Sequence, residues 1–174
     1  MDEIAADVGM AKPSLYYYYS TKEQLFTAVV SREQESFVRD IEGMLRKNIS
    51  WSQKLKEYVA IRVKLFRELV NLSQLGANSW TEMKRVTGHL IKTLEHQELT
   101  FLQTIMSGGT AAGEFAVTNI HGTARLVLHV LQGLRLRTLR NENAPMLDEP
   151  RYSELGREMD LLIDHLITGI QKHS

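Results

Sequence analysis

The chain contains no cysteine, only three prolines and no excess of charge of either sign. Without thiols it can form no disulfide, no thiolate metal site and no cysteine nucleophile, which agrees with a cytoplasmic setting. Its 21 lysines and arginines are matched by 21 aspartates and glutamates, so the whole chain exerts no pull on nucleic acid or on an anionic membrane. Any electrostatic footprint must be local. A charged-then-apolar leader at Met1 is missing, as is any apolar run long enough to cross a bilayer, so a soluble protein with no membrane partner is expected. Period-2 alternation is missing too, and with prolines only at 13, 145 and 150 the chain reads as all-α. Its 174 residues suffice for one domain with a sizeable core, or for a small domain attached to a larger one.

What is present is helical periodicity. A short helix is expected over Asp2 to Val8, ended by Gly9, and a second from Ala11 or Lys12 to Tyr18 or Tyr19, with Pro13 in its first turn where a missing N–H costs nothing. Thr21 then reads as an N-cap, with Gln24 completing a capping box and Glu23 suiting the positive end of the helix dipole. From there Leu25, Phe26, Val29, Val30, Phe37, Ile41, Met44 and Leu45 mark a long amphipathic rod to about Arg46. Further helices are expected over Ser52 to Leu72, around Leu75 to Trp80, and over Met83 to Met106, Asn119 to Arg140 and Tyr152 to Lys172. Breaks are expected at Gly108, Gly109 and Gly113, and again at Pro145 and Pro150.

The helix Asn119 to Arg140 is apolar around most of its circumference, and Tyr152 to Lys172 carries a wide apolar stripe. Such helices must be covered on more than one side. A homodimer interface built on Leu126, Val130, Leu134, Leu162, Leu166 and Ile170 is the expected cover.

Four consecutive tyrosines, Tyr16 to Tyr19, lie on the second short helix. Consecutive helical residues point about 100° apart, so the four cannot share one face. Two short helices joined by a turn at Gly9 form a helix-turn-helix candidate, whose second helix would enter the DNA major groove. Leu15 and Tyr19 then point inward. Lys12, Pro13, Ser14, Tyr16, Tyr17 and Tyr18 remain to face DNA, with Lys22 on a phosphate. The plainer reading makes the tyrosines half-buried core residues with wet hydroxyls.

The stretch IAADVGMAKPSLYYYYSTKEQLF resembles the DNA-binding segment of TetR-family transcriptional regulators. Ile4, Ala5, Gly9, Leu15, Tyr16, Lys22, Leu25 and Phe26 stand at the matching positions, and GEF at Gly113 to Phe115 and the Gly133–Leu134 pair resemble the family more loosely. Ala11 replaces a capping serine, Pro13 a glycine and Tyr18 a histidine. The family pattern has a further helix ahead of Met1, so the helix-turn-helix, assigned to residues 1–26, is expected to be incomplete at its N-terminus. Residues 27–174 are assigned to a helical bundle that binds an effector and dimerises. Over residues 1–26 two lysines meet four acids, a net of −2. The resemblance implies double-stranded operator DNA as partner, an unidentified small-molecule effector, a homodimer, and a repressor that leaves DNA when the effector binds. It implies no cofactor and no enzymatic activity; a helical-bundle enzyme or scaffolding protein is the alternative.

Other constellations are weaker. Tyr18 and Lys22 have the Y-x-x-x-K spacing of short-chain dehydrogenases, but no G-x-G-x-x-G or strand precedes them. GGTAAG lacks the Gly-Lys-Ser/Thr of a phosphate cradle, and the six histidines show no H-x-x-x-H spacing, so no metal is expected. Arg62 stands out because its helical neighbours Tyr58, Val59, Leu65 and Phe66 are apolar or aromatic. A buried arginine needs a partner. It is either an internal acid such as Glu98 or the anionic group of an effector, in a pocket of Arg62, Phe66, Trp80, Met83 and Phe101.

Overall fold

A computed structural model describes residues 11–74, 80–139 and 149–172, with side chains at 11, 13–14, 16–69, 88–138 and 149–172. The described residues form six α-helices: α1 (Lys12–Tyr18), α2 (Lys22–Leu45), α3 (Trp51–Gln74), α4 (Trp80–Ala111), α5 (Ile120–Leu139) and α6 (Glu149–Ile170). The all-α expectation holds. The helix expected over Asp2 to Val8, the turn at Gly9 and the break at Pro145 lie outside the described residues.

Each start has a local cause. Thr21 is extended and accepts the Gln24 N–H at 3.1 Å, while the Gln24 carboxamide reaches back to the Ser20 N–H at 2.9 Å. The capping box is thus present, with its return bond one residue earlier than the usual pattern. At α3, Ser50 Oγ accepts the Gln53 N–H, and the Glu114 carboxylate takes the Trp51 and Ser52 N–H groups at 3.1 and 3.2 Å. That long-range cap satisfies two donors that the helix cannot. Asn119 accepts the Gly122 N–H at the start of α5.

Two sequence expectations are corrected. Gly108 and Gly109 do not break the chain, since α4 continues through both to Ala111. Both are needed as glycine because a Cβ on Gly108 would overlap the Trp51 ring and one on Gly109 the Phe115 ring. Close aromatic packing offsets the weak helix propensity of glycine. Only Gly113 behaves as a stop, at φ 76°. Pro150, read as a break, lies in the first turn of α6, where proline is tolerated. The helix expected at Met83 begins at Trp80 instead, and residues 75–79 of the short helix expected around Leu75 to Trp80 lie outside the described residues.

Helices α3 and α4 form the centre. α2 packs against both on one side, while α6 packs on α3 and α5 on α4, and α5 and α6 touch each other. The core takes Phe37, Ile41 and Met44 from α2, Leu55, Tyr58 and Val59 from α3, Leu102, Ile105 and Met106 from α4, Val127, Leu128 and Leu131 from α5, and Leu155, Met159 and Ile163 from α6. Each recurs at three or four residues, so burial follows the helical period. The GEF loop closes the bundle: Phe115 is buried, and Ala116 N–H donates to the Ile170 carbonyl at 2.7 Å.

Candidate nucleic-acid interface and interior charge cluster

Helix α1 has seven residues and directly precedes α2 in the chain. Pro13 and Ser14 are exposed on its first turn, and the Ser14 N–H closes a turn onto the Ala11 carbonyl at 2.9 Å. Tyr17 and Tyr18 are 84% and 69% exposed, and Tyr16 is 41% exposed. Tyr19 is half-buried, as its inward assignment requires. The plainer reading, half-buried core residues with wet hydroxyls, does not fit Tyr17 and Tyr18. The Tyr17 and Tyr18 rings meet edge to face at 5.3 Å, a geometry that holds two large aromatic surfaces toward solvent. Lys22 is also exposed, on the first turn of α2. The side chains of Lys12 and Leu15 lie outside the described residues. Only three residues, Tyr19 to Thr21, separate α1 from α2, and the capping box fixes the last two of them.

The second feature is charge inside the bundle. Arg62 on α3 is 4% exposed and Glu98 on α4 is 3% exposed. Arg62 Nε and the Tyr58 hydroxyl, the latter at 2.9 Å, both donate to Glu98 Oε1. Of the two partners read for Arg62, the internal acid Glu98 is the one the structure contains. Burial works against the guanidinium, but Glu98, with Tyr58 in support, outweighs it and raises the Arg62 pKa above the ordinary arginine value. Burial, reinforced by Glu98, also pushes the Tyr58 phenol well above its ordinary range, so it stays a donor.

Arg135 on α5 completes the cluster, and sequence reasoning missed it. Its guanidinium lies over the Phe66 ring at 5.8 Å. Its Nε is shut off from water and has no hydrogen-bond partner among the described residues. Burial first, then repulsion from Arg62, lowers its pKa from the ordinary value, with Glu98 and Glu95 offsetting part. The signal was present: Arg135 follows Leu131 by four residues and Leu128 by seven, on the buried stripe of α5.

Of the other expected pocket residues, Phe66 is buried with its ring 6.1 Å from that of Tyr152, and Phe101 is half-buried on α4 one turn beyond Glu98. Trp80 and Met83 lie on the first turn of α4, with side chains outside the described residues. A separate groove of about 480 Å³ between α3 and α6 is lined by Lys64, Arg67, Glu68, Glu149 and Tyr152 and contains none of the expected residues. Its ions pair with each other or nearby, Arg67 with Glu149 at 2.7 Å and Lys64 with Asp40 at 3.3 Å.

On the outer face of α5 and α6, Leu126 is 63% exposed, Leu161 59% and Val130 36%. Leu134, Leu162, Leu166 and Ile170 are half-buried at the edge of the core. Asp164 pairs with Lys56 at 2.6 Å and the His165 ring approaches the Leu161 carbonyl at 2.8 Å. Among the described residues no three His, Cys, Asp or Glu side chains converge as a metal site, and no helix is long and apolar enough to cross a membrane.

The family of bacterial regulatory proteins of the tetR type matches residues 1–29. A crystal structure of a transcriptional regulator from Cytophaga hutchinsonii superposes with a TM-score of 0.85 at 33% identity, over 99% of this chain and 88% of that one. The chain belongs to the TetR family. A TetR-family regulator from Agrobacterium tumefaciens shares the fold at 15% identity and a TM-score of 0.65, over 98% of this chain and 85% of that one. The transcriptional activator FasR of Mycolicibacterium smegmatis is 37% identical over 59 residues, a stretch that covers 34% of this chain and 27% of that protein. TetR-family membership makes the chain a DNA-binding regulator of transcription and not an enzyme, and the family match over residues 1–29 includes the exposed tyrosines. It also gives the GEF motif a physical reading, since Glu114 caps α3 and Phe115 seals the bundle against Gly109.

Proposed function

We propose that this TetR-family chain is a homodimeric repressor whose residues 1–26 bind operator DNA and whose residues 27–174 bind a small-molecule effector that releases it. The observation that carries the reading is the outward tyrosine face of α1, held by the capping box onto the 24-residue α2. Ser14, Tyr16, Tyr17 and Tyr18, with Lys12 and Pro13, meet the major groove, and Lys22 meets a phosphate. The net charge of −2 over residues 1–26 gives this surface little electrostatic affinity, so contact geometry must contribute more.

The dimer forms through α5 and α6. Exposed Leu126 and Val130 lie on the same side as half-buried Leu134, Leu162, Leu166 and Ile170, and a second copy removes this apolar surface from water. The effector enters between α2, α3 and α4, with Phe66, Phe101, Trp80 and Met83 as walls and the Arg62–Glu98 pair as floor. Its binding tilts α2, so the two α1 helices no longer match half-sites about 34 Å apart. The name of the FasR relative supports a second direction of control, activation.

Gel-shift titration of the chain on its own promoter region, with a promoter-driven reporter alongside, tests the reading. A specific, salt-sensitive shift with reporter derepression on deletion supports the repressor. A specific shift with loss of reporter signal on deletion marks an activator, and no specific shift refutes DNA control.

A further inference from the structure

We infer that Arg135 is the anchor for an acidic effector, an organic acid with one negative charge and an otherwise apolar body. The inference rests on the effector-binding reading above and names the ligand's chemistry. Inside the bundle two guanidiniums, Arg62 and Arg135, face one buried carboxylate, and that carboxylate is already engaged by Arg62 and Tyr58. Glu95 lies nearby, but it is exposed and accepts the Gln132 carboxamide at 3.1 Å. Among the described residues Arg135 therefore has no carboxylate of its own. Arg135 Nε is a buried donor with nothing to donate to among the described residues, an arrangement that costs free energy unless a ligand completes it.

The position is also reachable. Arg135 as a whole is only half-buried, so its guanidinium lies at the edge of the interior and not behind it. The surroundings define the remainder of the ligand. The Phe66 ring lies beneath the guanidinium, Leu131 precedes it by one turn, and Leu94 lies on the facing helix α4. One face of the charge is thus covered by an aromatic ring. A carboxylate there accepts from Arg135 in a charge-assisted hydrogen bond, while an apolar body covers the aromatic and aliphatic lining. Arg62 cannot take this role without releasing Glu98.

The test uses the full chain and three probes: decanoate, decanol and acetate, titrated by calorimetry. Decanoate is expected to bind about tenfold or more tighter than decanol, the scale of one charge-assisted hydrogen bond in a desolvated site. Acetate should bind far more weakly than decanoate, because it lacks the apolar body. In Arg135→Gln the preference for decanoate over decanol should fall to within about threefold, while Arg135→Lys, which keeps the charge, retains more of it. Equal binding of decanoate and decanol by the parent, binding of neither, acetate as tight as decanoate, or an unchanged preference in Arg135→Gln would each overturn the inference. Should Arg135→Gln fail to fold, the parent comparison and the Arg135→Lys variant decide. A promoter gel shift on the same preparation separates the two levels. A specific shift with no decanoate preference sinks the ligand class alone, whereas no specific shift sinks the regulator reading.

Discussion

Replacing Glu98 by Gln removes the carboxylate shared by Arg62 and Tyr58 and leaves two guanidiniums repelling each other in the interior. Breaking a buried ion pair from one side costs about 3–5 kcal/mol, because a desolvated charge is left without a partner. Replacing Arg62 by Met is a different perturbation. Glu98 keeps the Tyr58 donor at 2.9 Å and still has the Arg135 cation nearby, while methionine fills the vacated volume. The loss should then be about 1–2 kcal/mol, that of one charged hydrogen bond partly replaced. In a chain of this size 1 kcal/mol shifts Tm by about 2–4 °C, so Glu98→Gln should melt about 6–20 °C lower and Arg62→Met about 2–8 °C lower. Urea unfolding followed by circular dichroism, at one fixed protein concentration because the proposed dimer would make stability concentration-dependent, gives the comparison. If Arg62→Met proves as damaging as Glu98→Gln, Arg135 does not act as second cation to Glu98, and the charge count inside the bundle is wrong.

Three further outcomes are expected. Tyr16→Phe should weaken binding to promoter DNA by about 1 kcal/mol irrespective of sequence, as loss of one phosphate hydrogen bond does; fluorescence anisotropy on specific and scrambled duplexes would show a sequence-dependent loss if Tyr16 reads bases instead. Charging the outer face of α5 with Leu126→Glu and Val130→Glu should convert the dimer, whose interface as an obligate one should bury more than roughly 2,000 Å², to monomer at micromolar concentration; a dimer surviving in sedimentation would place the interface elsewhere. Burial, with Glu68 and Glu149 against the opposing Arg67, raises the Tyr152 pKa to about 12. The folded chain therefore keeps this proton where the unfolded chain releases it, so the contribution is complete below about pH 10 and is lost as pH climbs toward 12. Tyr152→Phe should flatten the fall of the urea midpoint between pH 9 and 11.5, and an unchanged slope would contradict the assignment.

How far the sequence was legible depended on the range of the interaction. Thr21 and Gln24 announced the start of α2 because a capping box is local, and the apolar spacing of Phe37, Ile41 and Met44 predicted the face that α2 buries. Gly108 and Gly109 misled because their reason for being glycine, the Trp51 and Phe115 rings, comes from other parts of the chain. Glu114 as a cap for α3 was invisible for the same reason, being 63 residues from Trp51. Arg62 was readable as buried, and its helical neighbours justified the search for a partner. Arg135 was hidden by Leu134 and Leu136 on either side, which made α5 look uniformly apolar. Its stripe position relative to Leu128 and Leu131 carried the missing information.

The central claim is that the tyrosine face of α1 binds DNA. Its most direct test is hydroxyl-radical footprinting of the chain on its own promoter, with the parent and Tyr17→Ala compared at equal protein and salt. Tyr17, 84% exposed and in ring contact only with Tyr18 among the described residues, can be truncated with little effect on the fold. The account predicts two protected half-sites about 34 Å apart, or a related spacing, for the parent, and protection lost or spread along the duplex for Tyr17→Ala. An identical footprint from both proteins would contradict it.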